Sequence, residues 1–332
     1  MAGKPKDHYV PQFYLDAFSS DKNPYTPHIF QYSQESIVPA AIKDIAAEKD
    51  FYTFTNKKDS TTSRDIDEFH TMIEGKVGAA IKDIIRTEEI NCDDDQKQMI
   101  AVFIALLAVR TPGFVKAMEA IRAEGMKEFM AMNAMDKSVF KKQSEEAGII
   151  LNAKELEEHR QFVLNKEYSV EFKEARAFFL AQGIELSMEL ADGYYRSKHW
   201  HLVINPTWKV FVTSDNPISI YRPTYIPPIY NAGLGNGTIF LPLSPRIGLL
   251  LRDLPLSKSK FEITSEKKID YINSNTMGFS NNYIYGNLKS KKILSSYQRV
   301  GNKQFQEIKP ARAKWAPYTF FMTNPVPEEF LS

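Results

Sequence analysis

"MIAVFIALLAV", Met99 to Val109, is the longest apolar run in the chain, and its reading decides the fold. A helix needs about 20 apolar residues to cross a bilayer, so these eleven are too few. They do suit a helix whose neighbours cover every face, the centre of a helical layer. "CDDDQKQ" before the run places carboxylates in the first turn, where the helix dipole favours them. "RTPG" after it, with Pro112 and Gly113, stops or bends the ladder before another helix through "FVKAMEAIRAEGMKEFMAM". Upstream, Ile66, Phe69, Ile73, Val77, Ile81 and Ile84 recur at three- and four-residue steps, one stripe of an amphipathic helix with Ser63 as its cap. Downstream, residues 136–193 alternate charged and apolar positions at helical spacing, with Asn152 and Glu155 as a capping pair. They read as two or three exposed helices with solvated faces.

After Asp192 the pattern changes to β-branched and aromatic runs broken by Pro, Gly, Asn and Ser: "HWHLVINPTWKVFVTSDNPISIY", "TIFLPLSPRIGLLL", "FEITSE" and "NYIYG". Helices followed by strands, without alternation, predict an α+β fold, a helical bundle in the first half packed against a mainly antiparallel sheet in the second. The expected organisation is a docked N-terminal segment with short strands over residues 1–62, a helical region over 63–195, and a mainly β region with a basic C-terminal segment over 196–332. Within the first, "HYVPQFYLDAF" (8–18) is too apolar for a loose terminus and is expected to be tied down, with one helical turn from Gln12 to Phe18. "HIFQYS" and "KDFYTF" read as a small hairpin or edge strands. The Pro/Gly-rich stretch 222–237 is a candidate lid or binding loop.

The 332 residues are 43% hydrophobic and 25% charged, ordinary for a folded globular chain. Formal charge is +1, so any preference for nucleic acid or acidic partners must come from local clustering. One cysteine, Cys92, fits a reducing compartment, and with no leader-like or membrane-spanning run the expected location is the cytoplasm.

No phosphate-cradling loop, dinucleotide fingerprint, nucleophile elbow or zinc-spaced Cys/His pair is present. Instead His8, Pro11, Gln12, Tyr14, Leu15 and Phe18, with "EKDFYT" (48–53), "FVTSDNPISI" (211–220) and "LPLSPRIGLLL" (241–251), resemble the ordered blocks of a bacterial domain-of-unknown-function family marked by an N-terminal His-x-x-Pro-x-x-Tyr-Leu-x-x-Phe pattern. The resemblance runs from residue 8 to about 285. It implies a shared fold and no reaction.

The chemistry is therefore sought in the residues. His8, placed beside the core by Pro11 and its apolar neighbours, has a side chain able to ligate metal or move protons near neutral pH, or only to bond a backbone carbonyl. Asp215, with Ser214 and Asn216, stands where a strand meets a turn; it is a base or metal ligand, or else the turn's own stitch. Glu48 and Glu74 complete with His8 and Asp215 a hard-ligand set suited to Mg²⁺ or Mn²⁺. Arg110, at the end of the apolar helix, would clamp a phosphate or cap its own helix. The Arg-to-His spacings in "RSKHWH" and "RDIDEFH" match those of HEPN-type ribonucleases but recur too easily to carry weight. Lys291, Lys292 and Arg299, with Lys289, Lys303, Lys309, Arg312 and Lys314 and the rings of Tyr297, Phe305 and Trp315, form the most nucleic-acid-like stretch, or a solvated basic tail.

The leading expectation is a metal-assisted hydrolase of nucleic-acid or nucleotide phosphoesters, in a toxin or phage-defence setting. His8, Asp215 and Arg110 would be catalytic; His8, Glu48, Glu74 and Asp215 would hold the metal; Gln12, Ser214, Asn216, Lys291, Lys292 and Arg299 would bind substrate. Its rival is a non-catalytic protein- or nucleic-acid-binding module whose motifs are staples. A third reading, a metal-free small-molecule enzyme, uses loop 222–237 as lid and His199 or His201 as base.

Overall fold

The computed structural model describes residues 6–20, 28–55, 61–172, 175–222, 233–307 and 324–325. Its first elements are β1 (Lys6–His8), α1 (Gln12–Asp16), β2 (His28–Tyr32), β3 (Ile37–Ala41), β4 (Ala47–Lys49), β5 (Phe54–Thr55) and β6 (Thr62–Ser63). Six helices follow: α2 (Asp65–Thr87), α3 (Asp94–Val109), α4 (Pro112–Met135), α5 (Lys137–Glu146), α6 (Ala153–Asn165) and α7 (Ala175–Arg196). The rest comprises β7 (His199–Ile204), β8 (Thr213–Ser214), β9 (Ser219–Arg222), β10 (Thr238–Pro242), β11 (Ile247–Arg252), β12 (Lys260–Glu262), α8 (Glu266–Phe279), β13 (Ile284–Gly286), α9 (Lys291–Glu307) and β14 (Asn324–Pro325). The fold is α+β, helix-rich in the first half and sheet-rich in the second.

α3 is the buried helix that its composition predicts: every residue from Ile100 to Val109 is inaccessible or nearly so. Asp93 and Gln96 close a capping box at its start. At its end Thr111 caps α4 through the Phe114 amide, Pro112 takes the first helical position, and the two helices meet at 62°. No single described helix is long and apolar enough to cross a membrane. Asn152 and Glu155 also form their capping box. Ser63 falls one position short of its expected role: Arg64 is the capping residue of α2, and the Ser63 hydroxyl takes the Asp65 amide.

α7 corrects the expectation of solvated helices over 136–193. Phe179, Leu180, Ser187, Leu190, Ala191 and Tyr194 are buried, in one core with α3. Gly183 permits the close approach, since a Cβ there would sit 3.0 Å from the Phe114 ring and 3.1 Å from the Val109 carbonyl oxygen.

The large sheet has the order β12-β7-β11-β10-β9-β14, with antiparallel pairing through its four central strands and parallel pairing at both margins. Alternation sorts its side chains. Leu202, Ile204, Leu241, Leu249 and Leu251 join the helical core, while Val203, Phe240 and Leu250 pack with Ile269 and Ile272 of α8 on the other face. Cover on both faces explains why these strands read as unbroken apolar runs. Gly248 is required there, because a Cβ would lie 2.3 Å from the Phe240 ring.

A second, antiparallel sheet has the order β3-β2-β13-β8, so the N-terminal hairpin is built into the same sheet as two late strands. Tyr14 adds a tether: its hydroxyl lies 2.6 Å from the Pro242 carbonyl and 2.7 Å from the Thr213 hydroxyl. Two helices also interrupt the region expected to be mainly β. The basic stretch from 291 to 307 is helix α9, neither strand nor tail, seated by Ile293, Leu294, Tyr297 and Val300. The side chains of Lys303 and Phe305, the residues Lys309, Arg312, Lys314 and Trp315, and the loop segment 223–232 lie outside the described residues.

Candidate functional site

β1 runs antiparallel to β4, which brings Asp7 and His8 against the top of the helical layer. There Arg110, the residue that ends α3, is 3% exposed and holds three elements together. Its Nη1 donates to Glu74 Oε1 of α2 at 2.7 Å, its Nη2 to the His8 carbonyl at 2.6 Å, and its Nε to the Tyr52 hydroxyl at 3.2 Å. The Tyr52 hydroxyl in turn donates to the Arg110 carbonyl at 2.9 Å. Burial works against the guanidinium charge, but Tyr52 and Glu74 more than offset it and its pKa is raised. Burial also pushes the Tyr52 phenol up to about 12. Asp7 completes the frame, accepting the Tyr52 amide and Arg64 Nη2, each at 2.8 Å.

His8 is half-buried at the edge of this frame. Arg110 holds its backbone, which leaves the ring free of the anchor. Gln12 Nε2, from the first turn of α1, lies 3.4 Å from Nδ1, so with Gln12 donating, Nδ1 is the unprotonated nitrogen. Nε2 has no partner at hydrogen-bonding geometry, although the carbonyls of Lys43 and Ile42 are close enough to favour its charge. Desolvation outweighs them and, with the Arg110 cation, holds the His8 pKa below the ordinary 6.5.

His70, the last residue of "RDIDEFH", belongs to the same centre, although in the sequence alone its spacing from Arg64 reads as chance. It is 2% exposed, stands edge-on to the Tyr52 ring with centroids 4.7 Å apart, and has no partner for either nitrogen. Burial and the Arg110 charge put its pKa well below 6.5. Thr53 Oγ1 is likewise buried and unpartnered. The signal was the apolar stripe of α2 itself, since His70 follows Phe69 and lies a turn before Ile73 on the buried side.

Asp215 is placed quite differently. Oδ1 accepts the Asn281 amide at 2.7 Å, and Oδ2 accepts the Asn282 and Tyr283 amides at 2.7 and 3.1 Å. Burial raises the carboxyl to about 6 in spite of these donors. Ser214 closes an ST-turn on Asn216, and Asn216 Nδ2 donates to the Phe279 carbonyl at 2.9 Å. The "TSDNP" polar groups thus stitch the 280s loop onto β8. Glu48 is also elsewhere, 51% exposed and 3.6 Å from Arg176. His201 is buried with both ring nitrogens beside backbone groups of Lys258 and Leu256, while His199 is exposed.

The expected metal set is therefore not assembled. Glu74 is committed to Arg110, Glu48 faces Arg176, and both Asp215 oxygens are taken by amides. Among the described residues no group of three or more His, Cys, Asp or Glu side chains lies close enough together to hold a metal ion. Of the five residues singled out for catalysis or metal binding at sequence level, His8, Glu74 and Arg110 converge and Asp215 and Glu48 do not join them; Gln12, expected to bind substrate, lies beside His8. Phe13, Tyr14 and Asp16 of α1 with Ala17 after it, Ile81, Lys82 and Ile85 of α2, and Leu243 line a cavity of about 260 Å³ that none of His8, Tyr52, His70, Glu74 and Arg110 reaches, slightly under the range usual for whole small-molecule sites.

The model of a family described as Protein of unknown function (DUF4238) matches residues 6–290, a span that takes in both the His8 centre and the Asp215 turn. No curated protein and no solved structure matches this chain.

Proposed function

The chain belongs to the DUF4238 family, and from that premise we propose that it is a hydrolase acting on nucleic-acid or nucleotide phosphoesters, with His8 as its base. One observation carries the reading: His8 is half-buried, its backbone locked by Arg110 and its Nδ1 within 3.4 Å of the Gln12 side-chain amide at the solvent edge. A fold staple has no need of a neutral, part-exposed imidazole over a buried ion pair, since buried charges cost more than well-packed apolar groups.

In this scheme the pKa held below 6.5 keeps the imidazole unprotonated at neutral pH. Once the Gln12 amide releases Nδ1, whose one lone pair it occupies at rest, water loses a proton to Nδ1 as its oxygen attacks phosphorus; the ester oxygen leaves and recovers that proton from the imidazolium. Gln12 orients the ring, and Arg110, with Glu74 as counter-charge, acts as a positioning residue. No step runs through Mg²⁺ or Mn²⁺, because the carboxylates proposed to hold such an ion are already committed. The rate of hydrolysis of a single-stranded oligonucleotide and of a chromogenic phosphodiester, followed against pH, tests this. The expected profile rises from acid to a plateau with a midpoint below 6.5. A chain that hydrolyses neither, or a profile without that acid limb, overturns the reading. The saturated Asp215 turn favours a second one, a non-catalytic module, which the same absence of hydrolysis would support.

A further inference from the structure

Trp208 sits in the turn between β7 and β8 and is 61% exposed, a costly position for the largest side chain. The turn is rigid. Asn205 accepts the Thr207 amide and hydroxyl and donates to the Lys209 carbonyl at 2.8 Å, and Arg246 reaches across to the carbonyls of Thr207 and Lys209. Two ammonium groups flank the indole: Lys209 Nζ at 5.8 Å and Lys292 Nζ at 5.6 Å from the ring centroid. Lys209 is neutralised by Asp270, but Lys292 has no carboxylate partner among the described residues. It opens the outward row of α9 that continues with Arg299, seven residues and about 10 Å on, also exposed and without an ion pair among the described residues. Lys291 and Arg246 are exposed beside it.

A rigid ring with a row of free cations leading away is the chemistry that holds a single strand: a base stacks on the ring and the following phosphates meet the cations. Base stacking on an indole is worth more than an exposed cation–π contact, so an incoming base displaces the two ammonium groups, which are then placed for its flanking phosphates. We infer that Trp208, Lys292 and Arg299 form a binding surface for single-stranded nucleic acid. The inference rests on the phosphoester reading above for its class of partner and deepens it.

The test is fluorescence anisotropy of a labelled oligothymidylate with the full-length protein and its His8→Asn variant, so that binding is scored apart from hydrolysis. Both are expected to bind alike. Trp208→Ala should weaken binding about tenfold or more and Trp208→Phe restore most of it, with melting temperatures unchanged because the side chain is exposed. Lys292→Ala with Arg299→Ala should flatten the plot of log affinity against log salt by about 1.4, two single-strand phosphates' worth. Absence of binding, equal affinity of Trp208→Ala, or Trp208-dependent recruitment to anionic vesicles without oligonucleotide binding would overturn the inference. Binding without hydrolysis would overturn the hydrolase reading alone.

Discussion

The Asp215 turn and the His8 edge are both polar clusters set against apolar core, and they differ in how completely they are satisfied. Around Asp215 three amides converge on one carboxylate and Ser214 and Asn216 bond back to the chain, so the turn's own polar groups are satisfied, although the buried Tyr285 hydroxyl within reach of the Asp215 charge lacks a partner. Around Arg110 a buried ion pair is surrounded by unpartnered atoms, His8 Nε2, both His70 nitrogens and Thr53 Oγ1, and one imidazole reaches the solvent edge. Stability alone selects the first arrangement, since an unsatisfied buried polar atom costs free energy. The second is maintained at a cost, which is what a site adapted to chemistry requires.

The contrast is sharpest where a substitution would leave charge stranded. Arg110→Ala strips Glu74, the His8 carbonyl and the Tyr52 hydroxyl of their common donor, and a loss of about 3–5 kcal/mol in urea denaturation is expected. A loss below about 1 kcal/mol would mean that the centre does not depend on that ion pair. Asp215→Asn keeps one acceptor oxygen and turns an NH₂ toward amide donors, so about 1–3 kcal/mol should be lost with no effect on chemistry. The pH dependence has a definite sign. The folded carboxyl, raised to about 6 from 3.8, binds its proton more readily than the unfolded one, so Asp215 destabilises the charged fold above pH 6 and this penalty fades as pH falls toward 3.8. The stability gap between wild type and Asp215→Asn should therefore widen on acidification; a gap independent of pH would contradict the buried carboxylate.

His70 works in the opposite direction. Its folded pKa lies well below the unfolded 6.5, so the unfolded chain binds the extra proton and stability is lost as pH drops below about 6.5. His70→Phe, similar in shape and free of orphan nitrogens, should remove up to about 1.4 kcal/mol of that loss per pH unit. An unchanged acid slope would show that His70 is paired in solution. The smallest expected effect is that of Mg²⁺ or Mn²⁺. A metal at 100 times its dissociation constant would stabilise the fold by about 2.7 kcal/mol, and with the carboxylates committed elsewhere no comparable shift in melting temperature is expected.

What was legible beforehand follows the same division between local and long-range causes. Met99–Val109, the Asn152–Glu155 box and the Pro112 break are decided within a few residues, and they stand where expected. α7 was misread because Glu185, Glu189 and Asp192 mask the buried row through Phe179, Gly183, Leu190 and Tyr194. On α8 polar residues themselves do core work: Asn273 bonds the Val212 amide and the Val210 carbonyl, so its buried face does not read as apolar. On α9 the row Ile293, Leu294, Tyr297, Val300 was present, overshadowed by lysines. His8, Glu74 and Arg110 were recognisable by type and context, but their meeting joins positions up to 102 residues apart, and only the tertiary fold decides it. Nor could pattern separate Asp215 from them, or find Trp208, whose "WKVFV" setting reads as core.

The most direct test is a single comparison of hydrolysis rates per folded molecule for wild type, His8→Asn and Asp215→Asn, each below its own melting transition. The His8→Asn rate should fall about 100-fold or more at an unchanged melting temperature, because Arg110 grips the backbone and not the ring. Asp215→Asn should melt earlier and hydrolyse at nearly the wild-type rate. Full activity in His8→Asn, or abolished activity in folded Asp215→Asn, would reverse the assignment of the two regions and contradict the account.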